Sequence, residues 1–228
     1  VADARVALAK AASIVNGEPS HHLDLIGITG TNGKTTTTYL CYALAEAAGI
    51  KPAMLTTVEY RVGEDSEAAV RTTPEASDTN RFLRRAVEAN CGFAAMEASS
   101  QAIDLHRCDW LRFRVAVFTN LTQDHLDYHR DEESYFAAKA RILDLIQDGG
   151  RLFCSSREVS RARRFWATNV SGRISPAPPS PVAVLASTSF ATRSGACLAP
   201  ITRACACIRT SRRGLRTARE GPNEPRRS

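Results

Sequence analysis

No apolar run in the 228 residues approaches the roughly 20 that a membrane-spanning helix needs. The first residues also lack the basic-then-apolar pattern of a signal peptide. A cytoplasmic chain with no membrane partner is therefore expected. Cysteine occurs seven times, an odd number at irregular spacing, which makes no disulfide framework and fits a reducing compartment. Apolar and charged residues are not scarce: 43% and 24% of the chain exclude wholesale disorder and a collagen-like repeat. The length allows one large or two small domains whose core needs no covalent staples.

Lysine and aspartate are absent from residues 155–228, which hold 14 Arg and 3 Glu for a net +11. Residues 1–154 hold 16 Lys and Arg against 21 Asp and Glu, a net −5. The overall +6 thus joins two chemically different pieces. Arg, Ser, Ala and Pro supply 43 of the last 74 residues, with no sustained period of 2 or 3.6. That composition predicts a low-complexity, disordered tail, with 176–181 its least ordered part. Arginine without lysine, together with Cys205-Ala-Cys207, also matches an out-of-frame translation of GC-rich coding sequence beginning near Cys154–Ser156. Resequencing that found one uninterrupted frame would dispose of this explanation. The rival is a nucleic-acid-binding arm, whose affinity would fall steeply with salt.

The first piece reads as alternating strands and helices. Leu23–Thr29 is an apolar run ending in a glycine-rich turn, and Lys34–Ala48 is a helix stopped by Gly49. Ala53–Thr57, Phe93–Glu97, Arg114–Thr119 and Gly150–Cys154 read as further strands. Thr73-Pro74-Glu75 reads as cap, first-turn proline and first-turn acid of a helix to about Asn90, and Asp131–Gln147 as another helix. This alternation predicts an α/β fold: a mostly parallel sheet over residues 21–154 with helices on both faces. Residues 1–20 are mostly helical in pattern and read as the remnant of a preceding unit.

Gly30-Thr31-Asn32-Gly33-Lys34-Thr35-Thr36 lies between the first strand and the first long helix. Glycines let backbone N–H groups converge on phosphate oxygens, the helix start adds partial positive charge, Lys34 can neutralise outer phosphates and the Thr35 hydroxyl can ligate Mg²⁺. Ile28 stands where the common phosphate loop has its first glycine, so Gly30 must make the turn. Glu97, at a strand end, can take a cation or simply be solvated. His125 and His129, four apart, suit either a Mg²⁺ ligand at His125, a zinc pair, or a polar loop. On the Asp131–Gln147 helix, Tyr135, Ile142 and Ile146 recur at helical spacing through Lys139, placing that lysine on the apolar face. Its amine either snorkels to solvent or, poorly solvated and neutral, takes up CO₂ as a carbamate, an anionic ligand for a hard cation.

Thr29–Thr36, Met96-Glu-Ala-Ser-Ser-Gln101, Thr119–His129 and Tyr135-Phe-Ala-Ala-Lys139, in that order and spacing, resemble the central ATP-binding domain of Mur ligases over roughly residues 3–153. Thr72-Thr73-Pro74 and Asp124-His-Leu-Asp-Tyr-His129 look most like the MurE type. The resemblance implies ATP and Mg²⁺ as cofactors. It implies ATP binding by Gly30, Thr31, Asn32, Gly33, Lys34, Thr35 and Thr36, and catalytic roles for Lys34, Glu97, His125 and Lys139. Thr35 and Glu97 would hold one Mg²⁺, His125 and carbamylated Lys139 the other. Thr72, Thr73, Ser99 and Arg107 would contact UDP-MurNAc-L-Ala-D-Glu. Leu105 stands where a substrate-contacting Gln can occur in the family and Gln101 where His is frequent.

The implied reaction is ATP-dependent amide ligation through an acyl phosphate, adding a diamino acid, meso-diaminopimelate ahead of L-lysine. A monomer without a nucleic-acid partner is expected. The family's C-terminal domain has no counterpart in the tail, so the chain reads as a fragment expected not to complete ligation. The alternatives are another Mur or folylpolyglutamate-type ligase and, from a different class, a non-catalytic nucleotide-binding module with a basic interaction arm.

Overall fold

The computed structural model describes residues 3–122, 128–155 and 183–187. One sheet of eight strands runs through them, in the order β4-β3-β2-β5-β1-β6-β7-β8. In chain order these are β1 Asp24–Thr29, β2 Pro52–Leu55, β3 Glu59–Val62, β4 Asp65–Ala68, β5 Phe93–Glu97, β6 Phe113–Phe118, β7 Ile146–Ser155 and β8 Ala183–Ser187. The pairs along β2-β5-β1-β6-β7-β8 are parallel, whereas β2–β3 and β3–β4 at one edge are antiparallel. That hairpin was not legible as strand, since Glu59–Val62 and the edge segment Asp65–Ala68 lack a continuous apolar run. Within the segment expected to lack regular structure, Ala183–Ser187 pairs parallel with β7.

Among the described residues five α-helices accompany the sheet: α1 Ala4–Val15, α2 Lys34–Ala47, α3 Ala76–Glu88, α4 Ser100–Asp104 and α5 Glu132–Ala140. Alternation along β1 explains why they divide between two faces. Ile26 and Ile28 pack with Cys41 and Ala45 of α2 on one side. Leu25 belongs to the opposite cluster, with Phe82 and Leu83 of α3, Ile103 of α4 and Phe136 of α5. Both faces of the central strands are thus apolar, as parallel sheets require. The expected α/β fold with helices on both faces is the fold observed.

Two helices differ from the reading of the sequence. Thr73 does not cap α3; Glu75 occupies the cap position. The Thr73 hydroxyl instead donates to the Glu97 carbonyl at 2.9 Å and accepts from Ser99 N–H at 3.1 Å. The helix expected over 131–147 ends at Ala140, tightens into a 3₁₀ turn over Arg141–Leu145 and becomes strand at Ile146. Helical spacing could not reveal this, because Ile142, Leu143 and Leu145 are buried in either geometry. The switch brings Ile146 beside Phe113, and the register then jumps so that Val115 faces Arg151. Gly149, at φ 71°, lies inside that bulge.

All four cysteines among the described residues are buried and free of disulfides. Burial pushes the Cys108 thiol up to about 12. The unfolded chain releases that proton near the ordinary thiol value, so this group's contribution is intact below about pH 8.5 and is lost as pH rises towards 12. Urea unfolding should therefore weaken by up to about 1.4 kcal/mol per pH unit above that value from this thiol. Cys108→Ala should flatten the slope between pH 9 and 10.5. An unchanged slope would show that the buried thiol does not govern it.

Candidate nucleotide-binding site

The carboxyl ends of β2, β5, β1 and β6 lie side by side, at Leu55, Glu97, Thr29 and Phe118. After β1 the chain turns into α2 on one face; after β5 it turns into α4 on the other. Neighbouring strands whose connections leave in opposite directions open a crevice between their ends. A cavity of about 470 Å³ lies there, lined by Thr31–Thr35 from the first turn and Glu97, Ser99, Ser100 and Gln101 from the second. Thr57, Thr72, Tyr128 and His129 complete its lining.

Gly30 makes the first turn at φ 139°, and a Cβ there would overlap the Thr119 hydroxyl. Gly33 follows at φ 84° as the N-cap of α2, with nothing within 4 Å of an added Cβ. The N-cap position is itself a glycine and so supplies no capping side chain to the helix. The Lys34 ammonium folds back over the turn, donating to the carbonyls of Gly30 at 3.0 Å and Thr31 at 2.9 Å. Thr35 lines the cavity, whereas Thr36 is exposed and does not.

Glu97 is fully buried at the end of β5. Its carboxylate accepts from Thr57 N–H at 2.9 Å and from the Thr57 hydroxyl at 3.2 Å. Thr57 has no signature in the sequence; only the β2–β5 pairing brings it there. No Lys, Arg or His among the described residues forms an ion pair with Glu97, which is unusual for a buried carboxylate. A hard divalent cation shared with the Thr35 hydroxyl suits such a group, since Mg²⁺ commonly takes one or two carboxylates plus phosphate oxygens. No group of three or more acidic, His or Cys side chains stands ready for a metal among the described residues. Thr35 and Glu97 thus fit a cation that would also need ligand from phosphate.

Lys139 is 1% exposed. Its ammonium does not snorkel to solvent: it donates to the Gly30 carbonyl at 3.0 Å and lies 4.4 Å from the Tyr135 ring centre. It supports the turn from behind rather than lining the cavity. His125 lies outside the described residues. His129 is buried, its Nε2 3.0 Å from the Ser100 hydroxyl.

Thr72 and Ser99 face the cavity, and Thr73 ties their two segments together through the bonds given above. Arg107 does not line the cavity; it donates to the Thr73 carbonyl at 3.2 Å and pairs with Glu75 at 2.8 Å. Gln101 lines the cavity and Leu105 does not.

A glycine turn opening a helix at the end of a parallel strand, beside a buried carboxylate from the next strand, is the architecture of an α/β phosphate-binding domain. The chain belongs to the Mur ligase family, whose middle domain matches residues 28–173. The curated UDP-N-acetylmuramoyl-L-alanyl-D-glutamate--2,6-diaminopimelate ligase of Geobacter sulfurreducens is 45% identical over 180 residues, covering 77% of this chain and 35% of that protein. The protein of the same name from Synechococcus elongatus is 54% identical over 126 residues, covering 55% of this chain and 25% of that protein. A solved structure of that name has a TM-score of 0.57 at 27% identity, covering 64% of this chain and 30% of its own. Mycobacterium tuberculosis folylpolyglutamate synthase with ADP shares the fold, at a TM-score of 0.59, 17% identity and 72% and 45% coverage. The chain spans about a third of the length of the curated relatives it matches.

Proposed function

We propose that residues 21–154 form the nucleotide-binding portion of a cytoplasmic, ATP- and Mg²⁺-dependent amide ligase. It would add a diamino acid, meso-diaminopimelate, to UDP-MurNAc-L-Ala-D-Glu in peptidoglycan precursor synthesis. The observation carrying this reading is that the Gly30–Thr35 turn and the buried Glu97 meet in one cavity at the β1/β5 crevice. The curated relatives named above supply the substrate class.

The reaction joins two anions, the D-Glu carboxylate and the outer phosphate of ATP, and then transfers the acyl group from phosphate to an amine. Positioning and charge neutralisation dominate such phosphoryl transfers. In this reading the amides opening α2 receive phosphate oxygens, and Lys34 leaves the Gly30 and Thr31 carbonyls for the outer phosphates. Thr35 and Glu97 would hold one magnesium ion; His125 and a Lys139 carbamate, its amine first leaving the Gly30 carbonyl, would hold a second. Bound magnesium supplies positive charge where carboxylate and phosphate must approach. Thr72, Thr73, Ser99 and Arg107 position the UDP-muramyl dipeptide, Arg107 through Thr73.

Titration calorimetry of the chain with ATP tests the reading. Uptake should be at least tenfold tighter with magnesium than with a chelator, and Glu97→Gln should erase that difference while keeping acceptor oxygen for Thr57. Magnesium-independent affinity in the unmutated chain would remove Glu97 from the metal site.

A further inference from the structure

The Gly30–Gly33 turn is held less by itself than by the chain leaving β6. Phe118 pairs with Thr29, and the ladder runs on past both strand ends. Thr119 N–H donates to the Thr29 carbonyl at 2.9 Å, and Thr31 N–H to the Asn120 carbonyl at 3.0 Å. Beyond that point no backbone–backbone bond continues the ladder among the described residues, and the Asn120 side chain takes up the pairing. Its Oδ1 accepts from Asn32 N–H at 2.9 Å, and its Nδ2 donates to the Asn32 carbonyl at 3.0 Å. The Thr119 hydroxyl donates to the same carbonyl at 2.6 Å.

A primary amide reproduces the donor and acceptor of a peptide group, so this contact fixes the rotation of Asn32 as a strand neighbour would. The next peptide leads into Gly33, the N-cap of α2, which has no side chain of its own to cap the helix and open space where a Cβ would lie. The Asn32 N–H is spent on Asn120 and the Asn32 carbonyl already has two donors. The next residues along the chain, Gly33, Lys34 and Thr35, open the helix and line the cavity.

We propose that Asn120 is a positioning residue: its side-chain amide clamps the Asn32 peptide so that the amides opening α2 face the cavity and receive the triphosphate. This rests on the nucleotide reading above and assigns Asn120 no contact with the nucleotide.

The test uses the 228-residue chain with two variants, magnesium ATP as the probe and amide hydrogen exchange as a readout independent of it. Asn120→Ala should speed exchange at Asn32 and weaken magnesium ATP binding about tenfold, the size expected of two lost hydrogen bonds. Asn120→Asp keeps the acceptor but not the donor, so Asn32 exchange should stay slow while nucleotide affinity falls. A merely structural residue would not separate those two readouts. Equal magnesium ATP affinity in Asn120→Ala and the unmutated chain overturns the assignment alone, as does fast Asn32 exchange in the unmutated chain. Absence of magnesium ATP uptake by the unmutated chain strikes the nucleotide reading and takes this assignment with it.

Discussion

Lys34→Ala is expected to reduce ATP-dependent acyl-phosphate formation at least a hundredfold in a full-length relative carrying these motifs. In the 228-residue chain it should abolish measurable magnesium ATP uptake. Lys34 is the one Lys or Arg among the described residues that line the cavity. Lys139 shares its carbonyl acceptor, Gly30, but does not line the cavity and cannot take over. Removing one preorganised charge or donor from a site where negative charge converges costs about 10²–10³ in rate, or about 2.7–4 kcal/mol. Single-turnover phosphate transfer with radiolabelled ATP would measure it. A variant turning over within a few-fold of the parent would detach Lys34 from the phosphates.

Gly30→Ala should be the most destabilising glycine substitution in the turn. The position needs φ 139°, and the added methyl would overlap the Thr119 hydroxyl while meeting the Asn120 backbone N and O at 3.0 Å. Backbone strain of about 1–3 kcal/mol and steric crowding of similar size both apply. A loss of about 3 kcal/mol or more is expected, a large part of a typical domain's 5–15 kcal/mol. Gly33→Ala is the control: it shares a left-handed φ, 84°, but has open space around it, so only about 1 kcal/mol is expected. Urea unfolding of both variants separates crowding from strain. Equal losses would mean that the turn relaxes away from Thr119.

Several parts of the site were legible because their chemistry is local. Thr31–Thr35 declares itself by residue type between an apolar run and a helix former. The alternation of Leu25, Ile26 and Ile28 assigns β1 to two apolar faces without reference to any partner. The apolar-face position of Lys139 follows from its helical spacing to Tyr135, buried with it, although Ile142 and Ile146 proved to lie beyond the end of α5. The Thr73-Pro74-Glu75 string misled in one respect, since a cap signature records only what threonine can do locally. The Thr73 hydroxyl found better partners at the end of β5.

The sequence by itself singled out the groups proposed to carry the chemistry: the turn glycines, Lys34, Thr35, Glu97 and a lysine on an apolar face. The tertiary structure alone decided what each faces. Strand pairing placed Thr57 on the Glu97 carboxylate and made Asn120 a surrogate strand for Asn32, and the docking of α5 aimed the Lys139 amine at Gly30. These partners lie 40, 88 and 109 residues apart. Contacts at such separations leave no periodic trace in a sequence, because they depend on which strands become neighbours and in what register.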